Sequence, residues 1–371
     1  MWGMSSKNFL NAIAYCLFPL LLYYVVYEAA GYVLVLAAAS VASSGWDRAA
    51  LWTAAHAGDV SAMTGAAAMA AGFLAIHRTA AQEAPLTRRG YLQRQREEET
   101  QRQREGEAHA EGEDAQTGKA EPSQAAGEDV QTGVDPFGRV GPAGAAAAVF
   151  LALSSALFLN LVISMSGASA ADAGASSAAA QTAAVSLPLG LLYYGILSPF
   201  IEETVFRGIT FGRIRSVLRA ESAGKDAEVR RVQSAGNAAQ EEPAQSARNA
   251  ALEESAQGAA HASAQIAQER RYCIAAAVLS SLLFGIYHGN VVQGFYAFCM
   301  GIIFCVFREL TGSLAAAALL HGAVNAMTLL LSQSGVYAQL CTPAWLAASL
   351  AIAVCSAIFL AGRSRRRKQA Q

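Results

Sequence analysis

The feature that most constrains this chain is a series of long apolar runs, separated by blocks that hold nearly all of its charge. The averages hide this partition, because 54% of the 371 residues are hydrophobic and 15% are charged. About 20 apolar residues suffice for a helix to cross the hydrocarbon core of a bilayer. The runs reach that length and predict an all-α protein, a polytopic bundle of about eight transmembrane helices.

Two polar blocks interrupt the apolar runs. The first is dominated by Arg, Gln and Glu and the second by Ala, Gln, Glu and Ser, with few large apolar residues in either. Such blocks cannot bury enough surface to fold alone, so we expect disordered inserts, the second partly helical at most. The predicted segments are two spans (1–76), a polar cytosolic loop (77–142), spans three and four (143–219), a polar cytosolic insert (220–271), four further spans (272–362) and a basic cytosolic tail (363–371).

The predicted orientation rests on the distribution of basic residues. Lys and Arg concentrate in cytosolic loops, so the tail after residue 362 predicts a cytosolic C-terminus. An even number of spans then places the N-terminus in the cytosol as well. The first apolar run, from Phe9, is too long for a cleavable signal and is interpreted as a retained span, tilted or broken near Gly31. Residues 166–186 are expected to form a small-residue loop.

One apolar run ends in charged residues, in the stretch Pro-Phe-Ile-Glu-Glu-Thr-Val-Phe-Arg-Gly at 199–208. An ionisable side chain in a span is costly and is by default a functional hypothesis. On a helix, Glu203 and Arg207 are four residues apart and can pair, whereas Glu202 lies about 100° round the axis. We therefore expect Glu203 and Arg207 to form a structural ion pair and Glu202 to be left free.

Two later spans carry polar residues at helical spacing. Phe284 and His288 are four residues apart, as are His321 and Asn325, so each pair lies on one helical face. A single membrane histidine is more often a hydrogen-bonded packing residue than a catalyst. Four polar side chains on three apolar helices (Glu202, His288, His321 and Asn325) are more economically explained by one shared cavity, because each would be costly alone in lipid. The neighbouring glycines Gly285, Gly289 and Gly322 are expected to permit close approach of helices.

Glu-Glu-x-x-x-Arg, Phe-x-x-x-His and His-x-x-x-Asn, in this order on successive spans, resemble the signature of the CAAX protease and bacteriocin-processing (CPBP, Abi) family of intramembrane proteases. The resemblance covers roughly residues 187–331. It implies hydrolysis of a peptide bond by a water that Glu202 and His288 activate, with His321 and Asn325 stabilising the oxyanion. Glu203, Arg207 and Phe284 are then structural support.

Metal dependence stays open at this point. The family is often classed with metalloproteases, and Glu202, His288 and His321 could ligate zinc with one open position. No His-Glu-x-x-His pair is present, however, and a metal-free glutamate mechanism is at least as plausible. No cofactor is therefore certain, and zinc is the candidate.

The resemblance also implies partners and a location. The substrate would be a membrane-associated peptide or protein, prenylated or bacteriocin-like, and the chain would reside in the lipid bilayer of a bacterial cytoplasmic membrane without a nucleic-acid partner. The alternative is a non-catalytic immunity or scaffold protein that keeps the same fold. Counted from the cytosolic side at about 1.5 Å per residue, Glu202 and His321 lie at similar depth and His288 lies deeper. The helix that carries His288 is therefore predicted to begin before the membrane, around Gln268.

Overall fold

The computed structural model describes residues 6–43, 47–83, 100, 141–222 and 247–369. Within these residues the regular structure is helical and no strand occurs, which confirms the all-α prediction. The helices are α1 (Ser6–Ser43), α2 (Asp47–Ala55), α3 (Ala57–Glu83), α4 (Pro142–Met165), α5 (Ala168–Ala171), α6 (Ala173–Ala184), α7 (Leu187–Ser222), α8 (Ala247–Tyr287), α9 (Val291–Thr311), α10 (Leu314–Gln333), α11 (Val336–Leu340) and α12 (Pro343–Gln369).

The helices confirm a bundle of about eight spans. Seven of the described helices are long and apolar enough to cross a bilayer: α1, α3, α4, α8, α9, α10 and α12. Helices α6 and α7 pass the same criterion as a pair, although the chain bends by 119° between them. Counting this bent pair as one span gives eight.

Several local expectations are wrong. Helix α1 continues through Gly31, because that glycine packs against Ala68 of α3, where an added Cβ would lie 3.7 Å from the Ala68 Cβ. The expected loop at 166–186 forms α5 and α6 instead, and the Asp172 side chain caps the N-terminus of α6. The predicted second span is divided at His56 into α2 and α3.

The second polar insert is more helical than expected. Helix α8 begins at Ala247, so the described part of the 220–271 insert is continuous with the helix that leads to His288. The predicted start around Gln268 is therefore wrong, because the helix begins 21 residues earlier, at Ala247. Residues 77–83, expected in the first polar loop, instead complete α3. The insert residues 84–99, 101–140 and 223–246 lie outside the described residues, and the division into six segments stays a prediction.

Helix α7 lies at the centre of the fold. Its residues Ile201, Val205 and Phe206 are buried in one hydrophobic cluster with residues of α1, α3, α8, α9 and α10. Closer contact comes from small residues: an added Cβ at Gly72 would lie 2.9 Å from the Tyr23 carbonyl oxygen, so the backbone of α3 lies directly against the backbone of α1. The core thus surrounds the stretch that contains Glu202.

Two π-helical segments interrupt α7, at Tyr193–Leu197 and Thr204–Thr210, and leave one short α-helical stretch between them, Ser198–Glu203. Pro199 has no N–H and cannot make a helical hydrogen bond, which is a common cause of irregularity inside a helix. The amide of Ser198 bonds to the carbonyl of Tyr193, five residues earlier. Single-turn π segments occur frequently at functional sites.

The C-terminal part of α7 carries arginines that pair with acids from other helices. Arg213 binds Glu83 of α3 with two hydrogen bonds of 2.7 and 2.8 Å. Arg215 contacts Glu269 of α8 at 3.1 Å and Glu309 of α9 at 3.2 Å. We call this group the ion-pair end; its members are Glu83, Arg213, Arg215, Arg219, Glu269, Arg308 and Glu309.

Candidate active site

Glu202 lies in the α-helical stretch between the two π segments and is only 7% exposed. Its Oε1 accepts a hydrogen bond of 2.6 Å from the Ser198 hydroxyl, one helical turn earlier. Its Oε2 faces Nε2 of His321 at 3.8 Å. Glu202 is therefore not left free as expected, because a serine and a histidine face its two oxygens.

Glu203 and Arg207 form the predicted ion pair, with 3.1 Å between Glu203 Oε1 and an Arg207 terminal nitrogen. Both side chains are fully buried. The same Glu203 oxygen accepts a hydrogen bond of 2.9 Å from Nδ1 of His321. The pair therefore does not only stabilise α7, since Glu203 also joins α7 to the imidazole on α10.

These contacts form a continuous series from Arg207 through Glu203 and His321 to Glu202, which we call the carboxylate–imidazole cluster. A carboxylate oxygen can only accept, so the hydrogen bond from His321 to Glu203 places a proton on Nδ1. This leaves Nε2 directed at Glu202, across a gap of 3.8 Å. Residues that hold one imidazole nitrogen fix both the tautomer and the ring orientation.

The Arg207 guanidinium is held mainly by aromatic rings. Its carbon lies 4.2 Å from the centre of the Phe284 ring and 5.5 Å from that of Phe304. None of its three nitrogens has a hydrogen-bond partner with acceptable geometry among the described residues. Cation–π contact contributes about 2 kcal/mol or more when the cation is desolvated, which offsets part of the cost of burying this charge.

Phe304 also places His321. The two rings stack with centroids 4.5 Å apart and an angle of 23° between their planes. Phe284 approaches the same imidazole edge-on, at 5.9 Å. His321 is therefore fixed by a carboxylate at one nitrogen and by an aromatic ring on one face.

His288 lies in the turn between α8 and α9. Its Nδ1 bonds to the carbonyl oxygen of Phe284 at 2.8 Å, so Nδ1 carries the proton and Nε2 is left as an acceptor in the neutral ring. The Phe284 ring lies 4.7 Å from this imidazole and 5.9 Å from that of His321. The structure therefore brings His288 to the carboxylate–imidazole cluster.

Asn325 lies one turn beyond His321 on α10. Its Nδ2 donates a 3.0 Å hydrogen bond to the carbonyl oxygen of Tyr194, in the first π segment of α7. In an α-helix that oxygen would accept from the Ser198 amide, but this amide bonds to Tyr193 instead. One Asn325 N–H thus satisfies a carbonyl that the π segment releases, and the second remains.

Two of the three glycines permit close helix approach, as expected. An added Cβ at Gly322 would lie 2.0 Å from the carbonyl oxygen of Gly195, and one at Gly285 would lie 2.6 Å from that of Gly294. Gly289 is different: its φ of +73° suits the turn after α8, and nothing lies within 4 Å of an added Cβ. Gly289 therefore serves the turn and not a helix contact.

Sequence reasoning missed Ser198, Tyr194 and Phe304. Ser198 could have been found, because it lies four residues before Glu202 and so shares its helical face. Tyr194 contributes only a backbone oxygen, and Phe304 belongs to a helix without any polar motif. Nothing in the sequence distinguishes these two positions.

The donors that could hold zinc do not form a metal centre in the described part of the chain, where no group of three or more His, Cys, Asp or Glu side chains has a suitable arrangement. Of the candidate ligands, His321 has one nitrogen bonded to Glu203, and its other nitrogen is 3.8 Å from Glu202. Two atoms that each lie about 2.0–2.2 Å from a tetrahedral zinc are about 3.4 Å apart, so this gap is not itself an obstacle, and what is missing among the described residues is a third ligand in a suitable arrangement. The mechanism below therefore uses the side chains of the chain itself.

One comparison with known proteins gives a match. Residues 183–327 match a family model described as type II CAAX prenyl endopeptidase, Rce1-like. These residues form an Rce1-like domain. Neither the curated proteins nor the solved structures gave a match. The result confirms the resemblance to the CAAX protease and bacteriocin-processing family.

The Rce1-like domain extends from the end of α6 into α10 and contains Glu202, His288, His321 and Asn325. It therefore includes every residue of the candidate site, and the family assignment supports a membrane-embedded endopeptidase of the CAAX type. Helices α1 to α5 precede the domain, and α11 and α12 follow it.

Proposed function

We propose that this protein hydrolyses a peptide bond of a membrane-associated peptide, prenylated or amphipathic, with Glu202 as the general base. The observation that carries the proposal is the position of His321, held by Glu203 at Nδ1 and directed at Glu202 through Nε2. A simple packing histidine would not need a buried carboxylate on each side, since every buried charge is costly.

In the proposed reaction, a water molecule attacks the scissile carbonyl carbon and gives its proton to Glu202. His288 holds this water, because its Nε2 is the free acceptor of a ring whose Nδ1 bonds to Phe284. The proton then moves to the leaving nitrogen as the carbon–nitrogen bond breaks. General-base catalysis of this kind contributes about 10²–10⁴-fold.

The tetrahedral oxyanion needs donors, and α10 supplies two. Asn325 has one N–H beyond the one that binds the Tyr194 carbonyl. His321 has Nε2 beside Glu202, and this nitrogen is a donor when the ring is protonated on both sides. Glu203 acts as a positioning residue, because it contacts His321 and not the reacting atoms. Removing one oxyanion donor costs about 10²–10³-fold in other hydrolases.

The experiment uses the full chain, purified in lipid nanodiscs, with prenylated and unprenylated fluorogenic peptides. Wild type should cleave at least one of them, and Glu202→Ala should not. Glu269→Gln, which changes a carboxylate of the ion-pair end, is the matched control and should keep the activity. Absence of cleavage by wild type in every case would contradict the enzyme proposal and favour the immunity or scaffold alternative.

The mechanism has its own test. Activity that survives Glu202→Ala would refute Glu202 as the base, even if the chain is a peptidase. Each assay is repeated after treatment with a chelator and after addition of zinc. Loss of activity on chelation, with recovery on zinc addition, would contradict a reaction carried by the side chains alone.

A further inference from the structure

A groove between α1 and α3 contains a carboxylate that the proposed mechanism does not use. Glu28 lies on α1, exposed, in the middle part of a helix that is otherwise apolar between Phe9 and Val41. The contacts of α1 with α3 give its depth. Tyr23 lies against Gly72 and Gly31 against Ala68, so Glu28 is level with the middle of α3.

An acid at this depth is costly in lipid and marks a functional position by default. No Lys, Arg or His of the described residues forms an ion pair with Glu28. Its neighbours are two phenols, of which Tyr24 can donate a hydrogen bond to the carboxylate and Tyr27 interacts with it electrostatically. A carboxylate flanked by aromatic rings is complementary to a cation, which both the charge and the ring faces attract.

The groove is shaped for a helix or an extended segment. Gly31 on one wall, and Ser61 and Gly65 on the other, are small residues that line the groove between α1 and α3. Tyr27 and Tyr32 line the same groove as Glu28. Helices α1 and α3 both lie outside the Rce1-like domain, so this site is not part of the family match.

Aromatic contacts connect the groove to the candidate active site. The Tyr27 ring lies 6.2 Å from that of Tyr287, which lies 5.7 Å from the imidazole of His288. An added Cβ at Gly65 would lie 2.6 Å from the Tyr193 hydroxyl, so the groove floor touches the first π segment of α7. The Tyr27 phenol interacts electrostatically with both Glu28 and Glu202.

We propose that the groove binds a membrane-embedded segment of the substrate through a lysine or arginine that pairs with Glu28. This rests on the proposed function and names the substrate class, which is a peptide with a cationic side chain at mid-bilayer depth. Lipid headgroups are a poorer fit, because their charges lie at the interface and not at the level of Glu28.

The test measures binding separately from cleavage. Full-length Glu202→Ala protein in nanodiscs is titrated with two labelled peptides that span the bilayer and differ only in a central lysine or leucine. Polar contacts between membrane helices contribute about 1–2 kcal/mol in model peptides. The lysine peptide should therefore bind about fivefold more tightly or better, and Glu28→Gln in the same background should abolish this preference.

Two matched variants test the groove itself. Ser61→Leu fills it and should weaken binding of both peptides, whereas Ser40→Leu changes an exposed serine of α1 outside the groove and should not. Glu28→Lys should reverse the preference toward a peptide with a central glutamate. Glu28→Lys inverts a charge inside the membrane and is the variant at greater risk of misfolding. If Glu28→Lys does not fold, the loss of the lysine preference in Glu28→Gln decides whether Glu28 binds the cation.

The outcomes separate the two proposals. Equal binding of lysine and leucine peptides to protein that retains Glu28 would overturn the groove proposal. A photocrosslinker placed at Tyr32 gives a second test, because a covalent dimer of this chain would show that another copy, and not a peptide, occupies the groove. A lysine preference that depends on Glu28, without cleavage by wild type, would leave the groove standing and contradict the enzyme. Cleavage without the preference would do the reverse.

Discussion

The carboxylate–imidazole cluster and the ion-pair end both contain charged residues of α7, but these charges are paired differently in the two regions. At the ion-pair end, each of the three arginines of α7 contacts a carboxylate from another helix, and Arg215 contacts two. In the cluster, Arg207 pairs with Glu203, and the adjacent Glu202 faces a serine and a histidine instead. Paired charges stabilise the contact between helices, whereas a carboxylate without its own cation is available for proton transfer.

The largest expected difference between the two regions is in catalysis. Glu203→Gln should lower kcat by about 10²-fold or more, because an amide can present the wrong tautomer to His321, as in hydrolases where the acid behind the histidine is changed. KM should change little, since Glu203 does not touch the substrate. Glu269→Gln should leave kcat within about twofold.

This prediction needs a control for folding, because Glu203→Gln leaves the Arg207 charge buried. The double variant Glu203→Gln with Arg207→Met removes that charge and should recover much of the lost stability without recovering kcat. Recovery of kcat together with stability would show that Glu203 is purely structural.

The second difference is in stability. Arg207→Met should destabilise the protein by about 3–5 kcal/mol, because it leaves the fully buried Glu203 without a cation. Arg219→Met should cost about 1 kcal/mol or less, since Arg219 and Glu269 are partly exposed and Arg215 still contacts the acid. Reversible unfolding in mixed micelles measures both, and similar losses would contradict the comparison.

A third difference concerns packing at the two ends of α7. Gly322→Ala should cost about 1–3 kcal/mol, because its Cβ would lie 2.0 Å from the Gly195 carbonyl oxygen and force α10 away. Gly212→Ala is the matched control near the ion-pair end, where nothing lies within 4 Å, and should stabilise by about 0.5–1 kcal/mol. Thermal unfolding compares them, and a neutral Gly322→Ala would show that the contact is loose.

The smallest expected effect is on the pH dependence of stability, and it concerns Asp172, whose carboxylate accepts hydrogen bonds from backbone amides. Asp172 accepts hydrogen bonds from the amides of Ala175 and Val292, at 3.0 and 3.3 Å, and so joins α6 to the start of α9. The Ala175 hydrogen bond is the main cause that lowers the pKa of Asp172, and the partial burial of this side chain opposes it.

Because its folded-state pKa is lowered, Asp172 stabilises the fold above the ordinary aspartate pKa and loses this contribution as the pH falls through the lowered value. Asp172→Asn should remove that part of the acid sensitivity and leave the behaviour of the ion-pair end unchanged. Melting temperatures of both proteins across the acidic range test this. Parallel curves would show that Asp172 contributes nothing to the pH dependence.

The sequence predicted those parts of the site that depend on local spacing. The contact between Glu203 and Arg207 follows from four-residue separation on a helix, and the apolar runs determine the helical bundle. The hydrogen bond from His321 to Glu203 could not be predicted, because it joins α10 to α7 and depends on their rotation. Pro199 indicated an irregular helix, but the hydrogen-bond register around it depends on tertiary contacts.

In the second polar insert, the sequence analysis underestimated local structure. Its composition predicted little structure, yet α8 extends back to Ala247. A polar sequence rich in Ala, Gln and Glu has good intrinsic helix propensity, and growth from an existing helix avoids the cost of a new nucleus. Composition alone therefore underestimated the length of a helix that the apolar run downstream had already nucleated.

The π segments of α7 also determine how this helix tolerates changes of length. A residue occupies about 100° of an α-helix, so an inserted residue would turn the following part of the helix by that angle unless a widened π turn takes it up. Deletion of one residue within Thr204–Thr210 should therefore restore ordinary α-helical hydrogen bonding there and leave the ion-pair end facing its partners. The same deletion in the regular stretch Ser198–Glu203 should rotate the ion-pair end away from its partners, so tolerance to changes of length on α7 depends on where they fall.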